Sequence, residues 1–397
     1  MRRPRSGPVL SLLFLLFWGG AAWGTGPAVS ASGHLKNLWQ YSASTLDRRP
    51  YFLNTSRARL ELETSVPAGD FQWKTRAEYD HESLSGSFFR TKEYRRLGLA
   101  EPTNWLTMDQ TISTSATSIW RHRLYRGWTG LESERAVLRF GRQRVAWGTG
   151  RIWNPTDVLN PYQPTAVERE ERRGVDALYG RLGLGELTQT EAAWAPHEDW
   201  RRTSLLGRLR SNARGFDVSV MGGKTDRSTT SWIVGGDFAG ELKDGTLRGE
   251  FSLQEPVTRT PFWRLGVGYD YNFTADWPLA AVFLREAVMA VEYYHNGLGS
   301  AHVHRYDYAA LANGKDTAVA KDYAGLTYSK DAHALLKLEL SVIANLNDLS
   351  SFAAPSIQWN ALPDLYLSAG FHRNSGARIT EFGRLPNLGF LQVQYFF

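Results

Sequence analysis

The chain has 397 residues, of which 42% are hydrophobic and 22% are charged, and its mean hydropathy is -0.37. This composition excludes a bundle of membrane helices, since each such helix needs about 20 consecutive apolar residues. The formal net charge of +6 is too small to indicate a nucleic-acid partner, and the sequence has no basic run with interleaved aromatic residues. Cysteine is absent, which excludes disulfides, thiolate metal sites and cysteine nucleophiles.

Residues 1–31 predict a secretory signal peptide. A basic start, Met1–Arg5, precedes the apolar run Val9–Trp18, and small residues follow it. The apolar run is too short to span a bilayer as a helix. We expect cleavage at one of three points: after Gly24, after Ser30 or after Ala31. Residues 32–397 would then form a single domain beyond the inner membrane.

Two consecutive segments, Thr55–Ser65 and Phe71–Asp80, alternate apolar and polar residues. A period of two is typical of β-strands that have one apolar and one polar face. The turn Pro67–Asp70 joins the two segments into a hairpin. A soluble sandwich would bury the apolar face against a second sheet. A membrane barrel turns that face to lipid and turns the charged face to a wet lumen.

Similar segments recur along the chain and predict an all-β fold, a transmembrane antiparallel β-barrel of about 18 strands (about 16 to 20). Besides the hairpin, the predicted strands are Leu35–Ser42, Arg121–Leu131, Arg135–Ala146, Arg173–Leu182, Glu186–Ala195, Thr203–Ser211, Phe216–Gly223, Ser231–Gly240, Thr246–Gln254, Phe262–Phe273, Glu286–His295, Asp322–Ser329, Ala334–Asn345, Ser351–Asn360, Leu365–His372 and Gly389–Phe397. The run Leu279–Leu284 is ambiguous.

Short predicted turns alternate with long connections. The long ones are His81–Trp120, Trp147–Arg172, Asn296–Lys321 and Arg373–Leu388. Short periplasmic turns and long outer loops have this layout in membrane barrels, and an even strand number puts both chain ends in the periplasm. Backbone polar groups in a bilayer need internal partners, so we expect the last strand to pair with the first, Leu35–Ser42.

The predicted last strand ends the chain on an aromatic residue. Its apolar face consists of Leu391, Val393, Tyr395 and Phe397. This segment resembles the closing strand of bacterial outer-membrane β-barrels. The resemblance implies that these residues form the signal read by the barrel-assembly machinery, and that the chain resides among outer-membrane lipids. A buried C-terminal strand of a soluble sandwich is the alternative.

The connection 147–172 is the candidate constriction loop. Its three prolines restrict the backbone, so it is unlike a flexible loop. Folded into the lumen, it would place basic residues opposite acidic ones across the passage: Arg142, Arg144 and Arg151 opposite Glu168, Glu170 and Glu171. Charged groups at a constriction set selectivity. The alternative is an outer loop packed on the rim with its charges solvated.

A distinctive string, Gly-Arg-Gln-x-Val-x-Trp-Gly-x-Gly-Arg, begins at Gly141, and Asn-Pro-x-Asp follows it from Asn154. It resembles a string in outer-membrane porins of the alginate-export type and of related, poorly characterised families. The resemblance implies a porin and does not transfer a substrate.

The polar face of the predicted strands forms a basic pore lining. The candidate pore-lining and constriction residues are Arg57, Arg59, Arg76, Arg126, Arg139, Arg142, Arg144, Arg151, Asp157, Glu168, Glu170, Arg208, Arg210 and Arg248. Acidic residues interleave with them, and part of this pattern pairs opposite charges on neighbouring strands. We expect a porin for small hydrophilic solutes, and the arginine excess on the early strands favours anionic ones.

Signals of enzymes are poor. Neither Gly-x-Ser-x-Gly nor His-Glu-x-x-His occurs, so we expect no catalytic residues, no cofactor and no metal site. One alternative is a barrel hydrolase built on Asp80, His81 and either Ser83 or Ser85, but no spacing fixes such a geometry. The main rival is a structural sleeve around a multihaem cytochrome. The haem would belong to that partner, because this chain has no Cys-x-x-Cys-His site.

Overall fold

A computed structural model describes residues 27–99, 104–161, 163–169, 171–172, 174–226, 231–256, 260–273, 281–312 and 316–397. Residues 1–26, most of the expected signal peptide, lie outside the described residues. The described strands are β1 (Ala28–Ala43), β2 (Pro50–Ala68), β3 (Phe71–Gly86), β4 (Asp109–Thr114), β5 (Ser118–Glu132), β6 (Ala136–Gln143), β7 (Val175–Gly183), β8 (Gln189–Ala195), β9 (Ser204–Ala213), β10 (Phe216–Lys224), β11 (Trp232–Leu242), β12 (Gly245–Glu255), β13 (Phe262–Asn272), β14 (Val288–Asn296), β15 (Asp322–His333), β16 (Leu336–Asn345), β17 (Ser351–Leu362), β18 (Leu365–Ser375) and β19 (Leu388–Phe396). The described helices are α1 (Lys92–Leu97), α2 (Ala281–Leu284) and α3 (Tyr308–Ala312), with 3-10 turns at Ser87–Arg90, Trp200–Arg202 and Val303–Arg305.

Eighteen of these strands form a closed antiparallel barrel, in which successive strands pair along the chain. The ring closes where β1 pairs with β19, with Leu35 opposite Tyr395 and Trp39 opposite Leu391. Next to this seam, the backbones of Gly33 and Phe397 exchange two hydrogen bonds. The predicted all-β barrel and its closure by the first and last strands are confirmed. Closure gives the wall strands internal partners for their backbone groups, which a bilayer requires.

The strands turn apolar side chains outward and charged side chains inward. Leu60 on β2 and Leu138 on β6 are 43% and 51% exposed. On the same β2, Arg57 and Arg59 are each 6% exposed, because other charged side chains surround them inside the barrel. A polar interior behind an apolar exterior is the inverse of a soluble sandwich and is typical of barrels that enclose water.

The connections differ at the two ends of the barrel. The short turns, 69–70, 214–215, 243–244, 334–335 and 363–364, lie at the end that holds both chain termini. The long connections, 87–117, 144–174, 297–321 and 376–387, lie at the opposite end. One long connection, 273–287, shares the short-turn end, and its ambiguous apolar run contains α2.

Several strands are longer than predicted at the long-loop end. β2 has 19 residues and starts at Pro50, five positions before the predicted strand. Polar outward residues separate this extension from the apolar positions of the predicted strand: Asn37 donates to Ser56 at 2.8 Å, and Asn54 donates to Asn37 at 2.5 Å. The outward Phe52 beyond them is apolar and 42% exposed. The apolar alternation that marks a strand in the sequence is therefore interrupted there, although the pairing continues.

Strand β4 was not predicted, since it falls inside the expected connection His81–Trp120. It lies outside the ring, and β5 is its only partner among the described strands. All of its residues are exposed, so it carries no apolar alternation. Among the described residues, no helix has the length and apolar character needed to cross a membrane.

The start of β1 bears on signal cleavage. Residues 28–31 already pair with β2, with Ala28 opposite Ser65 and Ala31 opposite Leu62. Cleavage after Gly24 would leave β1 intact, whereas cleavage after Ala31 would remove these pairs.

Candidate functional site

The connection between β6 and β7, residues 144–174, leaves the wall at a glycine corner; we call it the interior loop. Gly148 has a φ of 106°. A Cβ atom there would lie 2.7 Å from Asn154 Oδ1 and 2.8 Å from Glu250 Oε1. Both the positive φ and this close approach favour glycine. The corner brings the following backbone against the inner face of β12.

The first part of the interior loop, residues 147–156, is the clamped arm. Glu250 on β12 accepts hydrogen bonds from the N–H groups of Thr149 and Gly150, the latter at 2.6 Å. The same carboxylate accepts from the Thr156 hydroxyl at 2.9 Å. Buried backbone N–H groups need partners, and a carboxylate gives them charge-assisted bonds. Glu250 thus fixes both ends of one turn of the arm.

A second wall carboxylate holds the next turn of the clamped arm. Glu292 on β14 accepts hydrogen bonds from the N–H groups of Arg151 and Trp153, both at 2.8 Å, and of Ile152 at 3.3 Å. Three consecutive backbone donors therefore converge on one side chain. The Arg151 guanidinium also lies 2.7 Å from Asp270 on β13.

Two tryptophans of the clamped arm pack on the inner wall. Trp153 is 3% exposed and stacks on Tyr294 of β14, with ring centroids 5.2 Å apart. Trp147 is 5% exposed and donates Nε1–H to Glu191 on β8 at 2.9 Å. Its apolar surroundings are Ala193, Leu206, Met221 and Ile233. Burying each ring contributes roughly 2 to 3 kcal/mol, so the arm is held by packing as well as by hydrogen bonds.

The end of the interior loop, residues 168–172, is the ion-paired arm. Glu168 lies 2.8 Å from the Lys36 ammonium and 3.0 Å from the Arg57 guanidinium. Glu171 lies 2.9 Å from Lys36 and 3.0 Å from Arg59. These cations project from β1 and β2. Glu170, another predicted constriction residue, lies outside the described residues.

The pKa values of the two glutamates reflect this surrounding charge. Burial alone would raise the pKa of Glu171, but Lys36, Arg59 and Arg57 outweigh it and hold that pKa well below the ordinary value. Burial is likewise outweighed at Glu168, where Arg57 and Lys36 lower the pKa. Both side chains keep some contact with water, with 21% and 18% exposure for Glu168 and Glu171. The ion-paired arm is therefore ionised and partly solvated.

The two arms contact widely separated parts of the ring. The clamped arm binds β12 and β14, whereas the ion-paired arm binds β1 and β2, and β15 to β19 separate β14 from β1. A loop packed on the rim could not reach inward-facing side chains on both parts. The interior loop therefore lies across the inside of the barrel.

A network of charges covers the wall behind the ion-paired arm. Arg57 lies 2.9 Å from Glu82, and Arg59 lies 2.6 Å from Asp80. Arg59 also rests on the Tyr125 ring, 3.7 Å from its centroid. Each charge faces an opposite charge on a neighbouring strand, so the main role of this network is to stabilise the wall.

Most other predicted pore-lining residues also lie in ion pairs of opposite charge. The pairs are Arg76 with Glu61 and Glu78, Arg126 with Glu78, Arg139 with Glu132, Arg151 and Arg248 with Asp270, Asp157 with Arg172, Arg208 with Asp237, and Arg210 with Asp217. The structure thus spreads these residues over the wall rather than gathering them at one ring.

Arg142 and Arg151, which were expected opposite the acids at 168–171, have other acids as ion-pair partners, namely Asp176 and Asp270. Arg142 is 1% exposed, lies 2.8 Å from Asp176 on β7, and donates to the Leu106 carbonyl at 2.6 Å. It shares strand parity with the outward-facing Leu138 and Phe140 rather than with the inner face. Alternation of apolar and polar residues along β6 cannot show that another segment covers this outward position.

That neighbouring segment explains the burial of Arg142. The backbone N–H of Leu106 donates to Asp176 at 2.8 Å, and Asn104 donates to the Gly174 carbonyl at 3.1 Å. β4 follows and pairs with β5 beyond the end of β6. Residues 104–114 therefore cover the outer wall at the point where β6 and β7 end and the interior loop enters the barrel. The Arg142–Asp176 pair ties this cover to the barrel.

A basic triplet, Arg126, Arg144 and Arg172, lies where the interior loop leaves β6. Arg126 donates to the Arg172 carbonyl at 3.0 Å, and Arg172 lies 3.0 Å from Asp157. Burial, and then the charges of Arg172 and Arg126, lower the pKa of Arg144. Burial raises the pKa of Asp157 to about 8, against the opposing effect of Arg172. Positive charge thus accumulates at this point.

Two further long loops pack inside the barrel end above β14–β17. Tyr306 and Phe382 join Trp153, Tyr323 and Phe352 in one apolar cluster, together with Ala318–Ala320. Within it, Glu381 accepts hydrogen bonds from the Tyr323 hydroxyl at 2.7 Å and from Asn345 at 2.8 Å. Apolar side chains pack together on this side of the interior, whereas charged side chains cover the inner wall formed by β1 to β5.

Several functional groups were missed as partners of the loop. The sequence pattern does not indicate Lys36, Asp176, Glu250 or Glu292 as partners of the interior loop. Strand parity identifies inward carboxylates, but it cannot show that backbone N–H groups from 100 or more residues away bind them. The two loop tryptophans were the available signal, since large apolar rings in a wet lumen need a wall to pack on.

No family model matches the chain, and no curated protein matches it. Among solved structures, an engineered porin of Rhodopseudomonas blastica has a TM-score of 0.49 at 11% identity, with 93% of this chain and 100% of that chain covered. A second engineered porin of the same source has a TM-score of 0.48 at 10% identity, with the same coverage. At this identity and this TM-score, the likeness assigns neither a function nor a cargo.

Proposed function

We propose that the protein is an outer-membrane porin that forms a water-filled channel for small hydrophilic solutes, with a preference for anions. A closed wall that is apolar outside and charged inside supports a membrane channel, since large barrels of this strand number enclose water. The predicted signal peptide and the exposed apolar Leu391, Tyr395 and Phe397 on the last strand support export and outer-membrane assembly.

The observation that carries the proposal is the interior loop. It bonds to Glu250 and Glu292 on one part of the wall and to Lys36 and Arg57 on another. A loop anchored at both ends narrows the cross-section of the barrel. Such a constriction selects solutes by size and by charge.

Planar-bilayer recording tests the proposal. The mature chain, purified in detergent and added to a lipid bilayer, is expected to give discrete conductance steps. With unequal KCl on the two sides, the reversal potential is expected to have the sign of chloride preference. Absence of steps would overturn the channel, and a reversal potential of cation preference would overturn the anion selectivity alone.

The structural sleeve remains the alternative, and the interior loop weighs against it. A multihaem partner inside the barrel would have to displace Trp147 and Trp153 from their buried positions on the wall. Affinity purification from membranes followed by haem staining decides between the two. A porin gives a haem-free barrel, whereas a sleeve gives a stoichiometric haem-bearing partner that survives in detergent.

A further inference from the structure

Arg144 differs from every other predicted pore-lining arginine in its surroundings. Arg57, Arg59, Arg139 and Arg208, for example, each lie within 3.0 Å of a carboxylate oxygen. The Arg144 side chain has no hydrogen bond or ion pair with any residue in the described part of the chain, and it is exposed. A guanidinium inside a protein that lacks a carboxylate partner can offer its donors to a solute.

The neighbours of Arg144 add positive charge instead of neutralising it. Arg126 and Arg76 both lie near the same oxygen of Glu78. The distance from that oxygen is 2.9 Å for Arg76 and 3.5 Å for Arg126. The Arg126 Nε–H finds no acceptor among the described residues. Glu78 therefore neutralises Arg126 only in part.

The third member of the basic triplet adds a further guanidinium near Arg144. Arg172 pairs with Asp157 at 3.0 Å, and its charge helps to lower the pKa of Arg144. The triplet thus places two further guanidinium groups near the water-accessible Arg144.

We propose that Arg126, Arg144 and Arg172 form a binding site for a small oxyanion, a carboxylate or a phosphate, in the passage beside the interior loop. Arg144 binds the solute directly, and the other two supply the surrounding positive potential. Guanidinium groups bind planar and tetrahedral oxyanions through two parallel N–H bonds to two oxygens, whereas chloride is a single atom and offers no second acceptor atom. This inference names the solute class of the proposed channel and rests on that function for its role in transport, although binding itself does not require conduction.

Calorimetric titration of the detergent-solubilised full chain with inorganic phosphate tests the site without any recording of current. We expect saturable binding to the wild type, and an increase of about tenfold in the dissociation constant for Arg144→Gln. Arg144→Lys keeps the charge but loses the paired donors, so its dissociation constant should lie between the two. Acetate in place of phosphate tests whether a carboxylate binds at the same site.

Arg210→Gln is the matched control, because it removes the same charge from an arginine that is 42% exposed but paired with Asp217. It should leave the dissociation constant for phosphate within about twofold of the wild type. Equal phosphate affinity in the wild type and in Arg144→Gln, with both folded as judged by heat-modifiable migration, would overturn the site. Binding that Arg144→Gln weakens, in a protein without conductance steps, would keep the site and overturn the channel.

Discussion

The two arms of the interior loop are held in place by different kinds of interaction. The clamped arm is fixed by backbone hydrogen bonds to Glu250 and Glu292 and by buried tryptophans. The ion-paired arm is held by the side chains of Glu168 and Glu171, which keep contact with water. Buried packing is insensitive to salt, whereas partly exposed ion pairs are screened by it. One end of the loop is therefore held by buried contacts, and the other end is held by ion pairs that salt can weaken, next to the charged inner face of β1 and β2.

The largest expected effect comes from removing the clamp. Glu292→Ala deprives three consecutive N–H groups of their acceptor, and each lost charge-assisted bond costs about 1.5 to 3 kcal/mol. We expect the clamped arm to leave the wall and single-channel conductance to rise severalfold. Glu292→Gln keeps an acceptor oxygen and should change the conductance much less. Equal conductance in wild type and Glu292→Ala would show that the arm does not narrow the passage.

A smaller effect is expected at the base of the ion-paired arm. Arg57→Gln removes one cation from Glu82, which is 1% exposed, and from Glu168. Because Arg121 still pairs with Glu82 and Lys36 still pairs with Glu168, the free energy of unfolding in denaturant should fall by about 1 to 3 kcal/mol. Arg210→Gln breaks a pair that is 42% and 46% exposed, so it should cost less than about 1 kcal/mol. Equal losses in the two variants would contradict the difference in burial on which the comparison rests.

Neutralising the ion-paired arm should change selectivity more than stability. The double variant Glu168→Gln/Glu171→Gln leaves Lys36, Arg57 and Arg59 less compensated, so the reversal potential should move further toward chloride. The free energy of unfolding should fall by only about 1 to 2 kcal/mol, because both glutamates are partly solvated. A shift of the reversal potential toward potassium would contradict the placement of this arm beside the passage.

The smallest expected effect is a pH dependence set by Asp157. Its raised pKa of about 8 means that it is mostly neutral at pH 7 and becomes ionised as the pH rises through that value. The new charge would face Arg172, Arg144 and Glu250 and would offset the basic triplet. Anion preference, measured as the reversal potential between pH 6.5 and pH 9.5, should therefore decline. Asp157→Asn should remove this change of the reversal potential near pH 8. If the change persists in the variant, another group causes it and the prediction is wrong.

The strand pattern was predictable because a closed sheet that is apolar outside and charged inside imposes it. At Thr55–Ser65 and Phe71–Asp80, alternation of apolar and polar residues indicates both the strand and the face that each residue takes. At Asn54 and Ser56 the outward residues are polar and bond to Asn37, so the alternation is interrupted there. β4 was missed because all of its residues are exposed and it has no alternating apolar face, although it pairs with β5.

The site was predictable only in part, because its contacts join distant segments. The prolines and tryptophans of the interior loop indicated an ordered structure, but alternation could not show which wall residues receive it. Arg142 illustrates the limit. It continues the basic stretch in the sequence, yet residues 104–108 cover it and Asp176 neutralises it. Such a partner, 34 residues away along the chain, becomes evident only from the register of β6 with β7.

Zero-length crosslinking tests the crossing of the barrel by the interior loop most directly. The Lys36 ammonium lies 2.8 Å from Glu168 and 2.9 Å from Glu171, so a water-soluble carbodiimide should join Lys36 to one of them by an amide bond. Mass spectrometry of a digest of the folded, detergent-solubilised protein should then find the peptide of Lys36 linked to the peptide of residues 168–171, and the denatured protein should give no such link. A folded barrel in which Lys36 reacts with acetylating reagents but never links to this loop would contradict the account.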